Sequence, residues 1–95
     1  MMRQEPRQAV RVIKGRIRDN LFDYSEYAFR GMVDQMIYEE DVKHAVETSR
    51  LIETREADRK GTHYVLQGFA MNEEEMILVC RLLKRRVEIA DVYWP

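Results

Sequence analysis

The stretch HYVLQGFAMNEEEMILVCRLL, residues 63–83, decides the fold. It contains two runs rich in β-branched, aliphatic and aromatic residues, 63–70 and 76–83, separated by the polar segment MNEEE. Runs of this kind predict β-strands, and so short a connection predicts that the two strands are antiparallel neighbours. The second run is apolar at nearly every position. It therefore predicts a central strand that is covered on both faces or contacts a partner.

Two further runs flank this pair of predicted strands. LIETR, residues 51–55, precedes the pair, and VEIADVYW, residues 87–94, follows it. The connecting segments ADRKG and KRR are again short, as expected between neighbouring antiparallel strands. The sequence from about residue 50 to residue 94 thus predicts a four-stranded antiparallel β-meander.

The N-terminal half of the chain shows the spacing of helices. A first helix is predicted over about residues 7–20, because apolar residues recur there at intervals of three and four. Those residues are Val10, Ile13, Ile17 and Leu21. A further helix is predicted from about Glu39 to Ser49, since three acidic residues stand where negative charge favours a helix N-terminus. Its predicted buried residues are Val42, Ala45, Val46 and Leu51.

Another helix is predicted between these two, capped by Asp23 or Ser25. Two columns of apolar residues follow the cap, each with steps of four. They are Ala28, Met32 and Met36 in one column and Phe29, Val33 and Ile37 in the other. Two adjacent apolar columns predict a helix with a wide buried face.

Together these patterns predict one α+β domain over residues 1–95. Three N-terminal helices, in about residues 7–49, are expected to pack on one face of the four-stranded antiparallel meander in about residues 50–94. The longest clean apolar run, MILVC, is far shorter than the roughly 18 residues that span a bilayer, so no membrane partner is expected. A single cysteine excludes an internal disulfide, and a cytoplasmic location is expected.

Charge is segregated along the chain although the formal net charge is only −1. Residues 1–18 hold six basic groups and one acid, residues 19–49 hold eight acids and two basic groups, and residues 50–95 hold eight of each. A surface that binds RNA or DNA through phosphates is normally basic, and only the first helix and the KRR of residues 84–86 offer such a surface. The more ordinary interpretation of both is a solvated charged face.

The sequence lacks the usual motifs for metals and nucleotides. His44 and His63 lie on different predicted elements, without a second ligand at metal-binding spacing, and the glycines stand alone instead of forming a phosphate-binding loop. No metal and no cofactor are therefore expected. Cys80 lies inside an apolar strand, where a free cysteine is typically a small buried hydrophobic residue, so it is not predicted to be a nucleophile.

The segment SEYAFRGMVDQMIYEEDV, residues 25–42, and the closing VEIADVYWP resemble the bacterial and archaeal family catalogued as domain of unknown function 4258. The residues that match the family pattern in order are Ser25, Ala28, Met32, Ile37, Asp41, Val42, Leu51, Ile52, Glu53, Tyr93 and Pro95. The likeness covers about residues 10–95. The family typically has histidine where this chain has Tyr27, and arginines where it has Gly31 and Gln35, so the polar part of the motif is missing here.

The resemblance implies a fold similar to small toxins of toxin–antitoxin pairs, of the RelE-like and motility quorum-sensing regulator types, which cleave messenger RNA without a metal. It implies RNA and a small zinc-finger protein of the antitoxin type as partners. The site residues expected on this basis are Tyr27, Arg30, Arg55, His63, Arg81 and Tyr93. Strand alternation places His63 and Tyr64 on opposite faces of the sheet, so both cannot belong to one site.

A second function stays open on the sequence alone, namely a non-catalytic protein-binding module of the same fold. The missing histidine and arginines, the mild acidity and the apolar third run favour this alternative. A homodimer through an exposed sheet face or edge is compatible with either function. The charge of the sheet should separate them, because a basic patch is expected for a ribonuclease and not for a protein-binding module.

Overall fold

A computed structural model describes residues 5–57 and 61–95 of the chain. The elements are, in order, α1 (Pro6–Arg18), β1 (Phe22–Tyr24), α2 (Glu26–Gln35), α3 (Glu39–Glu47), β2 (Arg50–Ala57), β3 (Gly61–Phe69), β4 (Glu75–Leu82) and β5 (Val87–Tyr93). Most of the predicted ADRKG turn lies outside the described residues. The predicted α+β class and the three helices are confirmed. None of the described helices combines the length and the apolar character needed to cross a bilayer.

The sheet has one strand more than the predicted meander. Its order is β1-β5-β4-β3-β2, and β2 to β5 pair antiparallel with their neighbours as expected. β1 pairs parallel to β5, with Phe22 opposite Val87 and Tyr24 opposite Ile89. The prediction of a four-stranded antiparallel sheet is therefore wrong. Three residues are too few to show an alternating pattern, and the partner of β1 lies at the other end of the chain, so local spacing could not reveal the pairing.

Local signals explain where the helices begin and end. The Ser25 hydroxyl accepts a hydrogen bond from the Ala28 N–H at 3.0 Å, so Ser25 and not Asp23 caps α2. Asp23 is instead part of β1. Met36 takes the left-handed conformation, with φ 56°, and thereby ends α2. α3 begins at Glu39, as predicted from its acidic first turn.

The main core lies between the sheet and the helices α1 and α3, which pack against each other and against the strands. The predicted inward positions of α1 and α3 are confirmed at Ile13, Ile17, Val42, Ala45 and Val46, all of which are buried. Leu21 is exposed, and Val10 and Leu51 are partly buried. β4 is the central strand, and residues 76–80 are buried on both of its faces, as the apolar run predicted.

Helix α2 buries much less than its two apolar columns predicted. Ala28, Met32 and Ile37 are buried. Phe29, Val33 and Met36 are instead 56%, 62% and 70% exposed. The reason is the position of α2 at the edge of the sheet, where it contacts β5 and β1 and is covered on one side. The spacing of apolar residues identifies the faces of a helix but not the number of neighbours that will cover them.

The side of the sheet turned away from α1 and α3 is here called the open face. Along β3, Tyr64 and Leu66 point into the main core, whereas His63 and Val65 point to the open face. This arrangement confirms that His63 and Tyr64 lie on opposite sides. A small apolar cluster occupies the middle of the open face and consists of Val65, Ile77 and Val79 with Ala90 and Tyr93 packed against them.

We expect Gly68→Ala to destabilise the protein by at least about 3 kcal/mol, because α3 lies directly on β3 at this residue. A Cβ atom at Gly68 would stand 1.8 Å from the carbonyl oxygen of Ala45, which is backbone and cannot turn away. The matched control is Gly15→Ala in α1, where the added Cβ meets nothing within 4 Å. It should stabilise the protein by about 0.5–1 kcal/mol. Urea unfolding measures both, and similar stabilities for the two variants would contradict the packing.

An acidic substitution should lower the stability of the protein by very different amounts at two neighbouring residues of α2. Met32→Asp places an unpaired charge in the core and should abolish folding, since its cost of several kcal/mol is comparable to a total stability of about 5–15 kcal/mol. Val33→Asp should cost less than about 1 kcal/mol, because Val33 is exposed. Circular dichroism melting curves of the two variants test the orientation of α2. Loss of folding in both would show that Val33 is covered.

Candidate functional site

Four polar side chains form one row across the open face. The strand register pairs Arg55 with His63, His63 with Arg81, and Arg81 with Glu88. Because paired residues on adjacent strands lie about 5 Å apart, these side chains stand next to one another from β2 to β5. The order along this row, here called the polar row, is arginine, histidine, arginine, glutamate.

Carboxylates hold both arginines of the polar row. Arg81 forms an ion pair with Glu88 at 3.1 Å, and the side chains of this pair are only 25% and 28% exposed. Arg55 pairs with Glu53 at 2.8 Å, two residues away on the same strand and the same face. The hydrogen bond from Arg55 lowers the pKa of Glu53 and raises the pKa of Arg55 itself. Each cation of the row therefore has its own counter-charge.

A cavity of about 370 Å³ lies over the β5 end of the polar row. Its lining residues are Ser25, Tyr27, His63, Arg81, Glu88 and Ala90. Ser25 fixes the start of α2 to β5, since its hydroxyl donates to the Ala90 carbonyl at 2.9 Å and its N–H donates to the Ile89 carbonyl at 2.9 Å. This attachment places Tyr27, two residues later and 72% exposed, beside the row. The cavity thus contains a carboxylate and an imidazole, which can transfer protons, together with a guanidinium cation and a phenol.

A second cavity, of about 420 Å³, lies between α2 and β5 and is here called the α2–β5 cavity. Its lining residues are Tyr27, Arg30, Gly31, Asp34, Gln35, Asp91 and Tyr93. Tyr27 lines both cavities, so the two adjoin. Burial raises the pKa of Asp91, although the Val92 N–H and the charge of Arg55 act in the opposite direction.

Gln35 joins α2 to the C-terminal half of β5 through its carboxamide. Its Nε2 donates to the Val92 carbonyl at 3.1 Å, and its Oε1 accepts from the Trp94 N–H at 3.2 Å. A residue of a parallel strand opposite Tyr93 would make the same two bonds. The Gln35 side chain therefore continues the parallel pairing that β1 begins. It also joins α2 to β5, the two elements that form the walls of the α2–β5 cavity.

The structure brings the six residues expected from the sequence to the open face and its α2 rim. Arg55, His63 and Arg81 belong to the polar row. The remaining three, Tyr27, Arg30 and Tyr93, line the α2–β5 cavity. Arg30 makes an ion pair of 2.6 Å with Glu26, one turn earlier on the exposed side of α2.

Sequence reasoning missed the acidic residues of both cavities. Alternation along VEIADVY could have identified Glu88, because it stands between the inward residues Val87 and Ile89. Alternation could not have placed Asp91 on the open face, because the register of β5 shifts opposite Val79 and Cys80 and breaks the alternating pattern. Asp34 lies on the face of α2 that spacing had not linked to the sheet.

The open face carries no net-basic patch among the described residues. The cations on this face are Arg50, Arg55 and Arg81, and its acids are Glu53, Glu75, Glu88 and Asp91. On α1, Lys14 donates to the Ser49 carbonyl at 2.8 Å and Arg16 donates to the Leu83 carbonyl at 2.9 Å, so these two cations are engaged within the fold. The described part of the open face therefore lacks the net positive charge expected of a surface that binds RNA through many phosphates.

Other reactive groups lie away from these cavities. Cys80 is fully buried on the core side of β4, and burial raises the pKa of its thiol to about 12. The thiol is therefore protonated near neutral pH, and it is shielded from solvent. Over residues 5–57 and 61–95, no group of three His, Cys, Asp or Glu side chains is arranged to hold a metal ion.

The chain belongs to the family described as domain of unknown function (DUF4258), whose model matches residues 24–94. This match begins at Tyr24, the last residue of β1, and includes α2, α3 and strands β2 to β5, and therefore all residues that line the two cavities. No curated protein and no solved structure matches the chain.

We expect Gln35→Ala to free the C-terminal end of β5 from α2. The substitution removes the bonds to the Val92 carbonyl and the Trp94 N–H and should cost about 1–3 kcal/mol, because partly buried backbone groups lose their partner. Amide hydrogen exchange should show lost protection at Trp94 while the amides of β4 remain protected. Arg30→Ala, which removes an exposed ion pair, is the control and should leave both unchanged. Unaltered exchange at Trp94 in Gln35→Ala would contradict the bridging role.

Proposed function

We propose that the polar row is an acid–base site that cleaves RNA without a metal, as in the toxins of RelE-like and motility quorum-sensing regulator type that the family resemblance implies. The observation that carries this proposal is the order Glu88, Arg81, His63 along adjacent strands. It sets a carboxylate and an imidazole on opposite sides of a cation. Cleavage of RNA by its own 2′-hydroxyl needs a proton acceptor and a proton donor on opposite sides of the phosphate.

The chemistry assigns one role to each residue of the row. Glu88 accepts the proton of the 2′-hydroxyl as that oxygen attacks phosphorus. The bond from phosphorus to the 5′ oxygen breaks, and His63, as the general acid, gives a proton to this leaving oxygen. Arg81 lies between the two and balances the charge that develops on the phosphate oxygens. The products are a 2′,3′-cyclic phosphate and a 5′-hydroxyl end.

The remaining expected residues act around this centre in the proposal. Arg55, next to His63 in the row, is a second ligand for phosphate oxygens. Tyr27 lines the same cavity as Arg81 and can donate a hydrogen bond to the phosphate, a role that suits tyrosine better than that of general base near neutral pH. Arg30 and Tyr93 lie further out, in the α2–β5 cavity.

The balanced charge of the open face limits how such a site would bind RNA. Affinity for a long nucleic acid grows with the number of phosphates that cations neutralise, and here each arginine of the row already has a carboxylate partner. The row therefore fits a single scissile phosphate and not an extended strand. An RNA substrate would need additional contacts from a partner.

A second candidate function is a protein-binding module of the same fold. It is favoured by the balanced charge and by the exposed stripe of Phe29, Val33 and Met36 on the outer side of α2. A zinc-finger protein of the antitoxin type, or a second copy of this chain, is the partner that this candidate would take. The two functions differ in one respect that is directly measurable, since only the first requires Glu88 and His63 as reactive groups.

The decisive experiment incubates purified chain with a short RNA that contains all four bases, in excess EDTA, and detects 2′,3′-cyclic phosphate ends by mass spectrometry. Glu88→Gln and His63→Gln should each lower the rate by about 10²–10⁴-fold. Glu40→Gln and His44→Gln, which change the same residue types on α3, should retain the wild-type rate.

Two results would contradict RNA cleavage by the row. Equal rates in all variants would assign the activity to a contaminant. Intact RNA with folded wild-type protein, together with normal growth and intact messenger RNA when the chain is expressed alone in a bacterial host, would favour the binding module.

A further inference from the structure

The α2–β5 cavity has a different chemical character from the polar row. Each of its two walls contributes one phenol ring and one carboxyl group: Tyr27 and Asp34 come from α2, and Asp91 and Tyr93 from β5. On α2 these residues are seven positions apart, which is two helical turns, so they lie on the same side of the helix. Gly31 stands between them and has no side chain to fill the space.

The other polar side chains of the cavity are held by neighbours. Arg30 forms an ion pair of 2.6 Å with Glu26, and Glu26 is not one of the residues that line the cavity. Gln35 uses its Nε2 for the carbonyls of Gly31 and Val92, and its Oε1 for the Trp94 N–H. The lining therefore holds two carboxyl groups, Asp34 and Asp91, against one cation, Arg30, which is already paired with Glu26, and it is acidic on balance although Arg55 also acts on Asp91.

Burial of one of these carboxylates is energetically unfavourable in the unliganded protein. The pKa of Asp91 is raised, and its burial is the main cause. A cation that entered the cavity would replace the lost hydration of this carboxylate and would be attracted by Asp34 as well. The same electrostatic argument disfavours a phosphate in this position.

We propose that the α2–β5 cavity binds the guanidinium group of an arginine side chain presented by a protein partner. A guanidinium group is planar and always charged, it donates paired N–H bonds that match a carboxylate, and it stacks on aromatic rings. The cavity is lined by two carboxyl groups and two phenol rings, and its volume of about 420 Å³ is in the range of cavities that hold small ligands. A lysine ammonium group is compact and lacks the plane that would lie between the rings.

The proposed cleavage of RNA does not depend on this site, because Glu88, Arg81 and His63, which carry that proposal, are not among its lining residues, although three of the expected site residues, Tyr27, Arg30 and Tyr93, are. An arginine bound here would nevertheless stand immediately beside that row. Failure of the cleavage experiment would leave the guanidinium site unaffected, and failure of the binding experiment would leave the cleavage proposal unaffected.

The experiment is an NMR titration of the isotopically labelled full chain with N-acetyl-arginine amide. The expected result is saturable shifts of the Gly31 amide, the Gln35 side-chain amide and the backbone amides of Asp91 and Tyr93. N-acetyl-lysine amide should bind at least about tenfold more weakly, because it cannot form paired bonds to a carboxylate. Saturation with arginine and not with lysine separates a built site from general attraction of cations.

Variants assign the binding to the two carboxyl groups. Asp91→Asn and Asp34→Asn should each weaken binding of N-acetyl-arginine amide by about tenfold to a hundredfold, the usual effect of losing a hydrogen bond to a charged group. Glu40→Gln removes an acid from α3 and should leave the affinity unchanged. The unperturbed spectrum of the rest of the chain serves as the control for folding.

Three outcomes would overturn the proposal. Equal binding of the arginine and lysine compounds would reduce the site to a nonspecific acidic surface. Shifts that do not centre on the α2–β5 cavity would place the ligand elsewhere. Saturable binding of guanosine 3′-monophosphate at the same residues, without binding of N-acetyl-arginine amide, would assign the cavity to a nucleobase, whose planar N–H edge also matches a carboxylate.

Discussion

The outer edge of β5 is the constraint on which the arrangement of this protein depends. A buried strand must have its N–H and C=O groups paired on both sides, and β4 supplies the partners on one side only. On the other side, β1 pairs with residues 87–89, and Ser25 donates hydrogen bonds to the carbonyls of Ile89 and Ala90. Further along, Gln35 bonds the Val92 carbonyl and the Trp94 N–H. This succession fixes α2 along the edge and thereby gives both cavities their α2 wall.

The parts that the sequence revealed are those governed by near neighbours in the chain. The strands β2 to β5 and the inward positions of α1 and α3 follow from periodic apolar residues, because one side of each element faces the core. β1 and the exposed side of α2 do not, since both depend on contacts with β5 that are made only after the whole chain has folded. Alternation accounts for His63 and Arg81, which lie on one side of the sheet, whereas Tyr93 reaches that side only because the register of β5 shifts opposite Val79 and Cys80.

The ion pair between Arg81 and Glu88 connects the structure of the polar row with its proposed chemistry. In the unliganded protein the carboxylate neutralises the guanidinium group, which makes the row an ordinary stable feature of a sheet surface. A phosphate that approached Arg81 would compete with Glu88 for the same N–H groups. Binding of the phosphate would then weaken the ion pair between Arg81 and Glu88 and free the Glu88 carboxylate to accept a proton. Substrate binding and activation of Glu88 as a base would therefore be one event.

The side-chain bridge of Gln35 also affects how the folded chain meets other chains. An unpaired strand edge can add a strand from another molecule, which is a common route to aggregation. Gln35 occupies the Val92 carbonyl and the Trp94 N–H, which lie beyond the part of the edge that β1 and Ser25 cover, so this edge is covered without a long edge strand. At the opposite edge β2 relies on charge, with Arg50, Glu53, Arg55 and Glu56 along its length. The two margins of the sheet therefore differ in what opposes the addition of a strand: occupied hydrogen bonds at one margin, and hydrated charged side chains at the other.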